Sequence, residues 1–154
     1  MYNESNDICR WFGQPAETTD RHDALKLKAS GFTEIVINIH HFGEQIIDFL
    51  KTNNDFGLTI HISDERDRLL DTGGGIRKAR LFFENSGEPF LVHNVDILSD
   101  MNLKELYDFH MQSGSVATLL ASRRTTSRYL LFDTERELRG WINKDTGQVK
   151  PEGF

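Results

Sequence analysis

Three consecutive glycines stand in the run Asp71-Thr72-Gly73-Gly74-Gly75-Ile76, between a strand-like segment and a helix-like one. Glycine has no Cβ, so its backbone can touch a base, ribose or phosphate without a clash. A helix N-terminus adds unpaired N–H donors and the positive end of the helix dipole. Downstream, the apolar run Phe90-Leu91-Val92-His93-Asn94-Val95-Asp96 ends on an acid. A carboxylate there is costly unless it is paired, hydrated or bound to a metal. Mg²⁺ takes one or two carboxylates together with phosphate oxygens and waters. In phosphoryl or nucleotidyl transfer such an ion neutralises the charge that builds on the phosphates. Together the two segments point to a phosphate-bearing nucleotide and a divalent metal.

Each feature also has a plainer reading. The glycine run is not a P-loop, since no Gly-Lys-Ser/Thr follows, and it does not meet Gly-x-Gly-x-x-Gly. It reads equally as an N-cap loop with Thr72 as the cap, although three glycines exceed what a cap needs. Asp96 reads otherwise as a turn or cap aspartate. Asp100 is a second candidate ligand, better read as a turn or cap. Asn94 either orients a ligand hydroxyl or satisfies a turn. His40 and His41 are adjacent, lack the spacing of a zinc site, and read as structural. Asp64, Glu65 and Asp67, mixed with Arg66 and Arg68, read as a solvated loop. Arg123, Arg124 and Arg128 read as surface residues, and Trp11 and Trp141 as packing residues. No spacing supports a Ser-His-Asp arrangement.

The elements that must position these residues follow from periodicity. Residues 34–39 (EIVINI) are rich in β-branched side chains and read as a buried strand. Residues 58–62 alternate as a second strand, 90–95 form a third and 116–121 a fourth. Residues 129–133 and 138–142 read as a strand pair. Helices are expected from Asp23 to Ser30-Gly31, over 45–52, over 76–83 and over 103–111. Residues 40–43 are a turn and 64–71 a charged loop. Residues 1–22 show no clear period. Strands alternating with helices predict an α/β fold with a mostly parallel sheet and flanking helices. Ligands in such sheets bind at the carboxyl ends of the strands. The glycine run and Asp96 both lie just past strand ends, so they can share one site.

Composition limits the classes further. At 154 residues, with 38% hydrophobic and 27% charged residues, the chain is long enough for one domain with a real core and is not disordered. Its 24 acids against 18 bases, net −6, argue against nucleic acid or an anionic membrane as the main partner. Cys9 is the single cysteine, so no internal disulfide forms and a cytoplasmic setting is expected. No stretch approaches the roughly 20 apolar residues of a membrane span. No secretory signal is visible at the start.

The segments 32–47 (FTEIVINIHHFGEQI), Ser63-Asp64-Glu65, Asp71 to Ile76 and Asn94-Val95-Asp96 resemble, in order and spacing, the sugar-1-phosphate nucleotidyltransferases. The nearest branch is that of the mannose-1-phosphate guanylyltransferases and N-acetylmuramate-1-phosphate uridylyltransferases. The likeness runs from about residue 23 to residue 150. It implies a Rossmann-like nucleotidyltransferase fold, Mg²⁺ as cofactor, and transfer of a nucleotidyl group from GTP or UTP to a sugar 1-phosphate with release of pyrophosphate. It implies nucleotide contacts at Thr72, Gly73, Gly74, Gly75, Ile76 and Asn94, and a catalytic, metal-binding role for Asp96. A homo-oligomer is left open.

The chain also departs from that pattern. Val95 replaces the glycine of the usual Asn-Gly-Asp. The family opens with a central strand and a Gly-rich loop that ends in Arg, followed by Pro-Lys, and this loop wraps the NTP phosphates. Residues 1–22 hold only Gly13 and no lysine. The later sugar-binding elements and second metal aspartate of the family lie beyond Phe154. The expectation is an irregular segment 1–22, then an incomplete nucleotidyltransferase domain over 23–154. Strands 34–39 and 90–95 would lack their shared neighbour. Little turnover is expected, and the alternative is a non-catalytic nucleotide-binding or oligomerisation module.

Overall fold

A strand that is buried on both faces must be covered on both, and residues 34–39 form such a strand. The computed structural model of the chain describes residues 8–12, 17–84, 87–94 and 99–151. The chain divides into two compact units between Ser115 and Val116. In the first, β1 (Ile8–Phe12), α1 (Glu17–Ala29), β2 (Glu34–Ile39), α2 (Gly43–Thr52), β3 (Thr59–Asp64), α3 (Asp71–Ala79), β4 (Leu91–Asn94) and α4 (Leu103–Ser113) follow in order. The four strands form one sheet in the order β3-β2-β1-β4, and every pairing is parallel. Helices flank it, as the alternating pattern predicts.

β2 is the hub of the core. Ile35, Ile37 and Ile39 point to one face and join Ala24 and Leu27 of α1, Ile46 and Leu50 of α2, and Leu103 of α4. Val36 points to the other face and packs with Ala79 of α3 and Phe83. Ile35, Val36 and Ile39 are fully buried, and burying each such side chain contributes about 1.5–3 kcal/mol.

Residues 1–22, expected to be irregular, contain β1 and the start of α1. β1 takes the central place, pairing Ile8 to Phe12 with β2 on one side and Cys9 to Phe12 with β4 on the other. The shared neighbour expected to be missing is therefore present. At five residues between polar flanks, ICRWF is too short to show a period.

α4 is capped by Asn102, whose Oδ1 accepts from Lys104 N (3.1 Å) and Glu105 N (3.3 Å). Its Nδ2 donates to the Glu105 carboxylate (2.8 Å), closing a reciprocal cap. Lys26 of α1 donates to the carbonyl of Ser99 and ties down the approach to this helix.

The second unit is an antiparallel sheet of β5 (Arg128–Phe132), β6 (Leu138–Asn143) and β7 (Gln148–Lys150). The expected pair is thus joined by a third strand, which at three residues is too short to read from sequence. The Asp133 side chain builds the β5–β6 turn by accepting from Glu137 N (2.8 Å) and Arg139 Nε (2.5 Å). The strand expected over 116–121 is not formed. Its apolar run is exposed at Val116, Leu119 and Leu120, and β propensity without a ladder partner does not make a strand.

Among the described residues no helix is long and apolar enough to cross a membrane. Among the described residues of the first unit, two buried atoms of titratable side chains have no hydrogen-bond partner, Asp23 Oδ2 and His93 Nδ1. Burial raises the Asp23 pKa above its ordinary 3.8, against the opposing pull of His93, His22 and Lys26. Burial lowers that of His93 from 6.5. Asp23 therefore holds its proton more tightly in the folded than in the unfolded chain, and its contribution to stability falls as pH rises above 3.8. His93 acts in the opposite sense, its contribution being lost as pH falls below 6.5. The Asp23→Asn variant, followed by urea unfolding, should gain stability relative to the wild type as pH rises from 3.8 toward neutrality. A difference that stays flat across that range would contradict the assignment.

Candidate functional site

Parallel pairing places one row of residues across the carboxyl edge of the sheet. Ser63 of β3 is level with Asn38 of β2, Asn38 with Phe12 of β1, and Phe12 with Asn94 of β4. At about 4.8 Å per strand this row spans roughly 14 Å. The glycine run follows β3 and Asn94 ends β4, so the two stand at opposite ends of the same edge.

The connection from β3 into α3 is tightly held. Arg66 forks onto the Asp64 carboxylate, with Nη2–Oδ2 at 2.5 Å and Nε at 2.9 Å from both oxygens. It also pairs with Glu44 in the first turn of α2. These hydrogen bonds hold the Asp64 pKa down at about 2 and raise that of Arg66. Lys78 of α3 donates to the Asp64 carbonyl. His40 Nδ1 donates to the carbonyl of Glu65 (2.7 Å), which gives this histidine a structural task.

The charged loop expected over residues 64–71 is shorter at both ends, and the solvated reading holds at Arg66, Asp67 and Arg68 but fails at Glu65. Asp64 closes β3, Asp71 opens α3, and Glu65 is only 3% exposed. Sequence reasoning missed Glu65. The signal was Asn38, a lone amide in the apolar EIVINI, which demands a buried polar partner.

α3 begins at Asp71, five residues earlier than the expected helix over 76–83, and passes into a 3-10 turn over Arg80–Phe82. Thr72, Gly73, Gly74, Gly75 and Ile76 therefore lie within the helix, not in a turn before it. The N-cap is Leu70, with no side-chain cap, so Thr72 is not the cap. Asp71 enters the helix with φ 55°, a left-handed conformation that aspartate tolerates better than most residues. Asp71, Thr72 and Gly73 are exposed and Gly75 is buried. The first backbone N–H groups of a helix have no partner within it.

The glycines have different reasons to be there. A Cβ on Gly74 would stand 2.9 Å from Leu70 Cβ, so packing requires glycine. A Cβ on Gly73 would meet nothing within 4 Å. Packing does not ask for Gly73, and a glycine inside a helix costs about 1 kcal/mol relative to alanine.

Asn94 is exposed at the tip of β4. Val95 and Asp96 lie outside the described residues. Among the described residues no three His, Cys, Asp or Glu side chains are grouped to hold a metal. Mg²⁺ needs only one or two carboxylates beside phosphate oxygens, and Asp96, two residues past Asn94, has the hard oxygen donors it takes.

The family described as Nucleotidyl transferase matches residues 21–139. The probable mannose-1-phosphate guanylyltransferase 2 of Oryza sativa subsp. japonica is 38% identical over 126 residues, covering 80% of this chain and 34% of that protein. The mannose-1-phosphate guanyltransferase of Kluyveromyces lactis is 34% identical over 103 residues, covering 66% of this chain and 28% of that protein. The chain thus spans about a third of the length of these relatives. The crystal structure of HddC from Yersinia pseudotuberculosis complexed with GMP-PN shares the fold, with a TM-score of 0.66 at 15% identity over 93% of this chain and 71% of that one.

The separate roles of Gly73 and Gly74 are open to test by chemical unfolding. Gly73→Ala should raise stability by about 0.5–1 kcal/mol. Gly74→Ala should lower it by about 1–3 kcal/mol through overpacking against Leu70. Equal shifts in one direction would refute the distinction.

Proposed function

The chain belongs to the sugar-1-phosphate nucleotidyltransferases of the nucleotidyl transferase family, and we propose that it binds a nucleoside triphosphate, GTP before UTP, along the carboxyl edge of its sheet. The exposed first turn of α3 carries this reading, because Gly73 has no packing reason to be glycine. Thr72, Gly73, Gly74, Gly75 and Ile76 seat the base and ribose. The row from Ser63 to Asn94 marks the edge along which the rest of the nucleotide extends toward β4. Asn94 orients a ligand hydroxyl there, and Asp96 holds Mg²⁺. The ion supplies charge neutralisation at the phosphates. The preference for GTP and for a mannose-like sugar 1-phosphate follows the names of the relatives.

In the reaction, a phosphate oxygen of the sugar 1-phosphate attacks the α-phosphorus of the nucleotide and pyrophosphate leaves. The residues named act by positioning and charge complementarity, with no covalent intermediate on the protein. Four residues, 13–16, join β1 to α1, with Gly13 the one glycine and no lysine among them. The resemblance implies a phosphate-wrapping loop at this connection. Turnover is accordingly slow, and the same observation favours a second reading, a non-catalytic nucleotide-binding or oligomerisation module. A cytoplasmic setting belongs to the proposal as well.

Calorimetry with GTP and UTP, with and without Mg²⁺, separates these readings. Mg²⁺-dependent binding of GTP is expected, weakened about tenfold (~1.4 kcal/mol) by Asp96→Asn and also weakened by Gly73→Ala despite its added stability. Absence of binding to either nucleotide would overturn the proposal. Pyrophosphate release with mannose 1-phosphate should be slow, and brisk release would show that the short β1–α1 connection suffices for catalysis.

A further inference from the structure

We propose that Glu65 is a positioning residue that holds the glycine-bearing turn of α3 in register with the tip of β2; its consequence for ligand binding rests on the nucleotide reading above. A carboxylate is seldom fully buried unless its oxygens are matched by donors. Glu65 is 3% exposed, whereas its neighbours Arg66, Asp67 and Arg68 face solvent. One oxygen, Oε1, accepts from Nδ2 of Asn38, itself 6% exposed. The other, Oε2, accepts from the backbone N–H of Leu70 at 3.4 Å. The backbone of Glu65 is pinned too, donating to the carbonyl of Ile39 at 2.8 Å and accepting from His40 Nδ1 at 2.7 Å. Leu70 is the N-cap of α3, and its Cβ fills the space where Gly74 would carry a side chain. A continuous chain of contacts therefore runs from Asn38 through Glu65 and Leu70 to Gly74. Displacing the Glu65 carboxylate frees Leu70, and with it the first turn of α3.

Glu65→Gln tests this at constant size. Glutamine has one acceptor oxygen where glutamate has two, its other terminal atom being an NH₂ donor, so it cannot accept at both the Asn38 and the Leu70 positions. The double variant Asn38→Asp/Glu65→Gln reverses one link: the new glutamine donates to the new aspartate and still accepts from Leu70. The readouts, on the full chain, are amide hydrogen exchange of residues 70–79 and the Kd for GTP with Mg²⁺. In Glu65→Gln, exchange in 70–79 should accelerate and the Kd should rise about tenfold. The double variant should return both toward wild type, a rescue that a mere loss of packing would not show. A folded Glu65→Gln variant with unchanged exchange and Kd overturns the proposal, as does a folded double variant that stays as weak as the single. Should the single variant unfold, the double variant decides alone: wild-type folding and affinity support the role, and loss of either overturns it. If the wild type binds neither GTP nor UTP, the nucleotide reading fails, and exchange over 70–79 still decides whether Glu65 holds α3.

Discussion

Parallel pairing of Ile8–Phe12 with strands on both sides is the constraint from which the rest of the first unit follows. A central parallel strand forces its neighbours to end at the same edge. It brings Ser63, Asn38 and Asn94 into one row, although they lie up to 56 positions apart in the chain. It also leaves β2 with two faces to cover, which α1, α2 and α4 do on one side and α3 on the other. Polar groups that β2 buries near its end must then be answered locally, and Asn38, Ser63 and Glu65 answer one another there.

The local preferences of α3 conflict with its structure. Three glycines in succession disfavour a helix, its first residue sits in a left-handed conformation, and its N-terminus has no side-chain cap. Conflicts between local preference and global fold are expected where function sets the sequence. Here they collect in one exposed turn at the carboxyl edge, the place where parallel sheets receive ligands. Tertiary contacts hold the turn against its own tendencies: Lys78 on Asp64, Arg66 on Asp64 and Glu44, and Ala79 in the core beside Val36.

Much of this was legible in the residues. EIVINI announced a buried strand, and its burial follows suit from Ile35 to Ile39. The amphipathic stretches became α2 and α4 within two residues of their expected ends. The parallel α/β class followed from the alternation of elements. What escaped has specific causes. β1 is five residues long and draws its order from two neighbours, which no local pattern reveals. Residues 116–121 have strand-like composition but no ladder. The start of α3 was misplaced because glycine propensity argues for a turn, and tertiary packing overrides it. Glu65 was hidden by the charged residues beside it, and only the unmet need of Asn38 pointed to it. The glycine run stood out in the sequence, whereas the difference within it, that Gly74 is demanded by packing and Gly73 is not, needed coordinates.

The central claim is that the first turn of α3 receives a nucleotide through its exposed backbone. Titrating the ¹⁵N-labelled chain with Mg²⁺-GTP and following its amide resonances tests this directly. The account predicts that the backbone amides of Thr72, Gly73, Gly74 and Gly75 and the side-chain amide of Asn94 shift together, along one saturable curve. GTP-induced shifts that leave these amides in place, or no shifts at all, would contradict it.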